Sequence, residues 1–117
     1  MKPEAIFYVK DYLEHLVEEI KALPTEQIVD AAEVLRTAQL NGKRIFVMGN
    51  GGSAAAAAHL TCDLGKNTRQ PDQPRLRVIS LVDNLAGLTA YANDEGYENV
   101  FSEPLLSLAE KGDVVIA

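Results

Sequence analysis

The stretch that most constrains this chain runs from Lys43 to Ser53, Lys-Arg-Ile-Phe-Val-Met-Gly-Asn-Gly-Gly-Ser, and continues into five consecutive alanines, Ala54 to Ala58. An apolar run with β-branched and aromatic residues stops at three glycines interrupted by one asparagine, and alanine is the strongest helix former. That order reads as a strand, a tight turn and a helix start. Glycines let the backbone approach a ligand closely. Ser53 is a natural N-cap, and the amides that follow lie at the positive end of the helix dipole. Such a turn suits an anion, most simply a phosphate, although a tight turn with no ligand would look the same. The pattern is not the six-residue dinucleotide fingerprint, and it lacks the lysine of a nucleoside triphosphate loop. A small phosphorylated metabolite is therefore expected ahead of NAD or ATP.

Upstream, Ile6, Val9, Leu13, Leu16, Ile20 and Leu23 fall three and four residues apart. This is a helical seam over about residues 3–23, with Asp11, Glu14 and Glu18 among its polar neighbours. Such a helix can pack on a core or on a copy of itself. Pro24 punctuates, and Thr25 followed by Glu26 and Gln27 predicts an N-cap with acid in the first turn. The second helix is expected to turn Ile28, Ala31, Ala32, Leu35 and Ala38 inward and to stop at Asn41-Gly42.

Downstream, residues 65–74 are polar and turn-rich and read as a surface loop. Leu76 to Leu81 is a second strand. Asp83-Asn84 opens a short helix through Ala90, and residues 91–97 read as a helix end and a loop. A further helix spans about 99–109 with Pro104 in its first turn, and Asp113 to Ala117 is a buried third strand. Strands separated by helices imply an α/β chain, a parallel sheet with helices on both faces, with ligands at the carboxyl ends of the strands. Three strands fall short of the five or six of an average sheet, so the chain is expected to be part of a longer protein or to complete its sheet with a second copy.

The 117 residues suffice for one domain, and the formal charge of −6 argues against a nucleic-acid or anionic-membrane surface. Any phosphate site must then be local. The lone Cys62 excludes an internal disulfide and fits a reducing, cytoplasmic compartment. No apolar run approaches the roughly 20 residues that span a bilayer.

Three further groups are candidates for chemistry. His59 and Asp63, four apart, share one helix face about 9 to 15 Å along the helix from Ser53, the reach of an extended sugar phosphate. Together they could hold a divalent metal, transfer protons, or simply form a surface pair. Asn93 and Asp94 are expected on a loop that converges on the site, or in an ordinary turn. Tyr97 and Phe101 read as packing residues, and Cys62 as a small buried hydrophobe.

Together, Gly49-Asn-Gly-Gly-Ser-Ala54, His59 with Asp63, Ala92-Asn-Asp-Glu-Gly-Tyr97 followed by Phe101-Ser102, and Gly112-Asp-Val-Val-Ile-Ala117 resemble the sugar isomerase (SIS) domain family, and within it the phosphoheptose isomerase group. The resemblance implies a flavodoxin-like three-layer α/β/α sandwich over 1–117. A helical segment at 3–41 would help build a homotetramer, and the α/β core would span 43–117. It implies substrate contacts at Asn50, Gly51, Gly52, Asn93 and Asp94, with Ser53 near the phosphate. It also implies zinc ligands at His59 and Asp63, with Asp63 doubling as the proton-transfer base. The family usually carries glutamate where this chain has Asp63, and its second, Ser/Thr-rich phosphate loop begins beyond Ala117. The implied reaction is isomerisation of sedoheptulose 7-phosphate to D-glycero-D-manno-heptose 7-phosphate for bacterial surface sugars. A non-catalytic SIS protein of the replication-initiator-associating or sugar-phosphate-sensing type is the alternative.

Overall fold

The computed structural model describes residues 2–117; Met1, included in the predicted 1–117 domain, lies outside the described residues. The chain divides into two compact units, one through Ala31 and one from Ala32 to Ala117. In the first, helix α1 covers Lys2–Lys21. Its predicted seam exists, but α1 contains no buried residue, and Ile6, Val9, Leu13 and Ile20 are all more than half exposed. Helix α2, Thr25–Leu40, crosses from one unit to the other. Thr25 does not cap it. Thr25 is already helical, its hydroxyl donates back to the Leu23 carbonyl, and the Ile28 amide donates to the carbonyl of Pro24. Only the carboxyl half of α2 turns inward as expected, through Leu35 and Ala38, while Ile28, Ala31 and Ala32 stay exposed. The helix ends as predicted at Asn41-Gly42. Gly42 takes φ +64°, which places the Gly42 amide on the Gln39 carbonyl and the Lys43 amide on the Ala38 carbonyl. This is the double bond pattern of a Schellman ending.

In the second unit, strands β1 (Arg44–Val47), β2 (Arg77–Ser80) and β3 (Val114–Ile116) form one parallel sheet in the order β2-β1-β3. Ile45 pairs with Val78 and Val114, and Phe46 pairs with Ile79 and Val115. Because strand side chains alternate, this register sorts them into two faces. One face buries Ile45 and Val47 with Val78, Val114 and Ile116 against Leu35 and Ala38 of α2 and Ala57 and Leu60 of helix α3, Gly52–Cys62. The other face is covered by helix α4 (Leu85–Asp94) and helix α5 (Ser102–Leu108), where Leu88, Tyr91, Val100, Pro104 and Leu108 line a cavity of about 200 Å³ with Ile79 and Leu81. The result is three layers, α/β/α.

Central β1 is the most deeply buried strand, with Ile45, Phe46 and Val47 at most 1% exposed and only Arg44 at its start half-buried. β3 is an edge strand with no buried residue, and its Val115 is 46% exposed, so the expectation of a buried third strand does not hold. The predicted loop at 65–74 is shorter, because a π-helical turn continues α3 over Asp63–Asn67. Helix α4 begins on Asn84, whose Oδ1 accepts the Gly87 amide at 3.0 Å, and it runs past Ala90 to Asp94. The predicted helix from 99 starts later, at Ser102, after a 3-10 turn over Tyr97–Asn99, and Pro104 sits in its first turn.

Candidate functional site

The chain leaves β1 for β2 through α3 on one face, then returns past β1 to β3 through α4 and α5 on the other. The winding thus reverses at β1, and the crevice at the carboxyl end of the central strand is where a doubly wound sheet binds its ligand. The glycine turn occupies that position. The Met48 amide donates to the Ile116 carbonyl and the Leu81 amide to the Val47 carbonyl, which gathers all three strand ends there.

Each glycine in the turn has a different reason to be one. A Cβ on Gly49 would stand 2.7 Å from both the carbonyl carbon and the oxygen of Ser53, so the strand end and the helix start pass too close for any side chain. Gly51 holds φ +55° and ψ −120°, a conformation that costs other residues dearly. Gly52 is helical and a Cβ there would meet nothing within 4 Å, so the first turn of α3 presents bare backbone to open space.

Ser53 lies at the start of α3 but is not its cap. Gly51 occupies that position, no side chain caps the helix, and the Ser53 amide donates to the Asn50 carbonyl at 2.9 Å. The helix starts before Ser53 because the positive φ of Gly51 turns the chain into it earlier.

On the same helix, His59 Nε2 stands 3.2 Å from Asp63 Oδ2, and the pair is solvent-accessible, with side chains 79% and 45% exposed. Asp63 follows Cys62, the last residue of α3, and opens the π turn. Its second oxygen, Oδ1, accepts from Asn67 Nδ2 at 2.8 Å. Asn67 is thus a neighbour of the acid that sequence reasoning missed, although its i,i+4 spacing from Asp63 could have shown it. Imidazole nitrogen and carboxylate oxygen suit zinc, but a zinc shell takes four ligands. Among the described residues no group of three or more metal-ligating side chains comes together, so His59 and Asp63 supply at most half of one.

Asn93 and Asp94 lie in the last turn of α4 rather than on a loop, and Asn93 Nδ2 donates to Asp94 Oδ1 at 2.6 Å. What reaches the glycine turn from this part of the chain is Tyr97. Expected to be a packing residue, it is instead 54% exposed, and its hydroxyl donates to Asn50 Oδ1 at 2.7 Å. Cys62, expected to be buried, is exposed.

The opposite, amino ends of the strands are held by ions. The Asp113 carboxylate accepts the Arg44 amide at 2.8 Å and the Glu110 amide at 2.9 Å and stands 3.6 Å from Arg44 Nε, with only 3% of its side chain exposed. The two amides, with Arg44 and Lys43 adding attraction, hold its pKa below the ordinary 3.8 against a smaller opposing effect of burial. Structural charge sits at one end of the sheet and the glycine turn at the other.

A doubly wound domain with a glycine turn at its switch point is the arrangement in which such folds offer backbone amides to an anion. Residues 8–117 match the SIS domain family, and the chain belongs to that family. It is 36% identical to a phosphoheptose isomerase of Shewanella sediminis over 93% of this chain and 56% of the relative. It is 41% identical to one of Geotalea daltonii over 86% of this chain and 52% of the relative. The solved structure of the phosphoheptose isomerase of Neisseria gonorrhoeae superposes with a TM-score of 0.83 at 29% identity, over 98% of this chain and 59% of that one. The chain therefore spans about half the length of the curated relatives it matches.

Proposed function

We propose that this chain supplies the phosphate turn and the acid of an aldose–ketose isomerase that interconverts sedoheptulose 7-phosphate and D-glycero-D-manno-heptose 7-phosphate in the cytoplasm. The observation that carries the reading is the His59–Asp63 pair on the helix that the glycine turn initiates, which sets a carboxylate about 15 Å along the helix from the anion-binding end. The phosphate occupies the start of α3, held by the backbone amides of Gly51 and Gly52 with Ser53 beside it. Asn50, Asn93 and Asp94 contact the sugar hydroxyls. Asp63 takes the proton from the carbon beside the carbonyl, an enediol forms, and the proton returns to the adjacent carbon. Asn67 and His59, on its two oxygens, orient the carboxylate for both transfers.

His59 and Asp63 are also the residues that would hold zinc, with the rest of its shell supplied from outside the described residues. Such an ion, when bound, polarises substrate oxygens and stabilises developing negative charge. The exposed apolar seam of α1 supports a homo-oligomer, a tetramer in this reading.

Incubating the full-length protein with sedoheptulose 7-phosphate, with and without zinc, and following the anomeric protons by NMR tests the proposal. Appearance of the aldose supports it, and no product under either condition refutes it. The rival is a non-catalytic SIS protein that binds a protein partner or senses a sugar phosphate. Asp63→Ala separates the two: it abolishes turnover in an isomerase and leaves partner binding intact in the rival.

A further inference from the structure

Asn50 has a carboxamide with an acceptor oxygen and two N–H donors, and which of them meets a ligand depends on how the group is turned. Its Oδ1 is occupied by the hydroxyl of Tyr97 at 2.7 Å, across 47 residues of sequence. Both partners are fixed at the backbone. The Asn50 carbonyl accepts the Ser53 amide at 2.9 Å, and Gly51 follows at φ +55°. On the other side, Gly96 at φ +99° turns the chain into the 3-10 turn, and the Val100 amide donates to the Tyr97 carbonyl at 3.3 Å. Val100 is itself only 2% exposed, and Asn99 Nδ2 donates to the Glu95 carbonyl at 2.7 Å.

We infer that Tyr97 is a positioning residue: its hydroxyl holds the Asn50 carboxamide by the oxygen, so that the Nδ2 hydrogens are the face the glycine turn offers to a ligand oxygen. An asparagine free to rotate would present its oxygen to an anionic or hydroxyl-rich ligand part of the time and repel the former. The Tyr97 bond removes that state, and a ligand that accepts hydrogen bonds, a phosphate or sugar oxygen, is selected. This inference rests on the proposed reading of Asn50 as a substrate contact.

The test is Tyr97→Phe in the full-length protein, a change that removes one oxygen from an exposed ring, with a melting curve to show that the fold is kept. In the ligand-free protein the two Asn50 side-chain amide resonances, assigned by their loss in Asn50→Ala, shift and move closer together. In kinetics with sedoheptulose 7-phosphate, KM rises about three- to tenfold, the worth of one hydrogen bond, with kcat little changed. In the Asn50→Ala background Tyr97→Phe adds nothing further. Asn50 resonances unchanged by Tyr97→Phe, or losses that simply add in the double variant, overturn the assignment. If the wild-type protein turns over no sedoheptulose 7-phosphate, the isomerase reading fails by itself. The Asn50 resonances and the same double-variant comparison, made by titrating inorganic phosphate, then decide the role of Tyr97.

Discussion

The three glycines of the turn predict three different outcomes for the same substitution, which makes them a direct test of how the site is built. In Gly49→Ala the new methyl would lie 2.7 Å from the Ser53 carbonyl carbon and oxygen and 2.8 Å from its Cβ. Two of these are backbone atoms in the first turn of α3, so relief requires moving the end of β1 away from the helix it starts. Overpacking of that kind costs about 1–3 kcal/mol. With a urea m-value of about 2 kcal/mol/M, the unfolding midpoint falls by about 0.5–1.5 M. Gly51→Ala meets no atom within 4 Å, but it inherits φ +55°, and its penalty of about 1–3 kcal/mol is purely conformational. Gly52→Ala meets nothing and sits in helical geometry, so stability is unchanged or rises by up to about 1 kcal/mol as the unfolded chain loses freedom. Its effect is on the ligand instead, because the methyl enters the open space against the first turn of α3. Urea titrations followed by circular dichroism, paired with calorimetric titration of sedoheptulose 7-phosphate, separate the two effects. Gly49→Ala loses stability, whereas Gly52→Ala keeps stability and loses affinity. A Gly52→Ala protein as unstable as Gly49→Ala, or one that binds the sugar phosphate as well as wild type, refutes the account of the turn.

Asn84→Ala removes the side-chain cap of α4 and costs about 1 kcal/mol in a urea titration. Gly87→Ala lowers the midpoint as well, because its methyl would stand 2.7 Å from Asn84 Nδ2 and push the cap aside. Asp113, whose folded pKa is lowered, contributes stability in full above its ordinary 3.8, and that contribution is lost as pH falls through the lower folded value. Asp113→Ala therefore lowers the melting temperature at neutral pH, and the gap to wild type narrows on acidification in a series of thermal melts. Leu13→Glu with Ile20→Glu places charge in the exposed seam of α1, and sedimentation velocity then reports a smaller species than wild type.

The features legible in the sequence are those whose meaning is local. The strand, turn and helix at 43–58, the C-cap glycine at Gly42 and the helix opening at Asp83-Asn84 each follow from a few neighbouring residues, and each stands where expected. The seam of α1 was equally legible as a pattern, but periodicity states which face is apolar and not what covers it. Local reading failed where a stronger local signal lay a few residues away. Asn93-Asp94 has the composition of a turn, yet the helix through Leu85 to Asp94 runs until Gly96, whose φ of +99° supplies the real break. Ser53 has the chemistry of a cap, but the positive φ of Gly51 had already begun the helix. The π turn after Cys62 has no compositional signature, whereas the bond between Asn67 and Asp63 is one that their i,i+4 spacing allows. Tyr97 is a different kind of miss. No property of residues 91–101 points to Asn50; what joins them is the order β2-β1-β3. Because β3 pairs beside β1 and not beyond β2, the segment between α4 and α5 must travel back across the sheet, and its 3-10 turn meets the end of the central strand. The same crossing that makes a switch point, and so a place for an anion, also delivers the hydroxyl that orients the asparagine there, which ties the specificity of the turn to sheet topology rather than to its glycines.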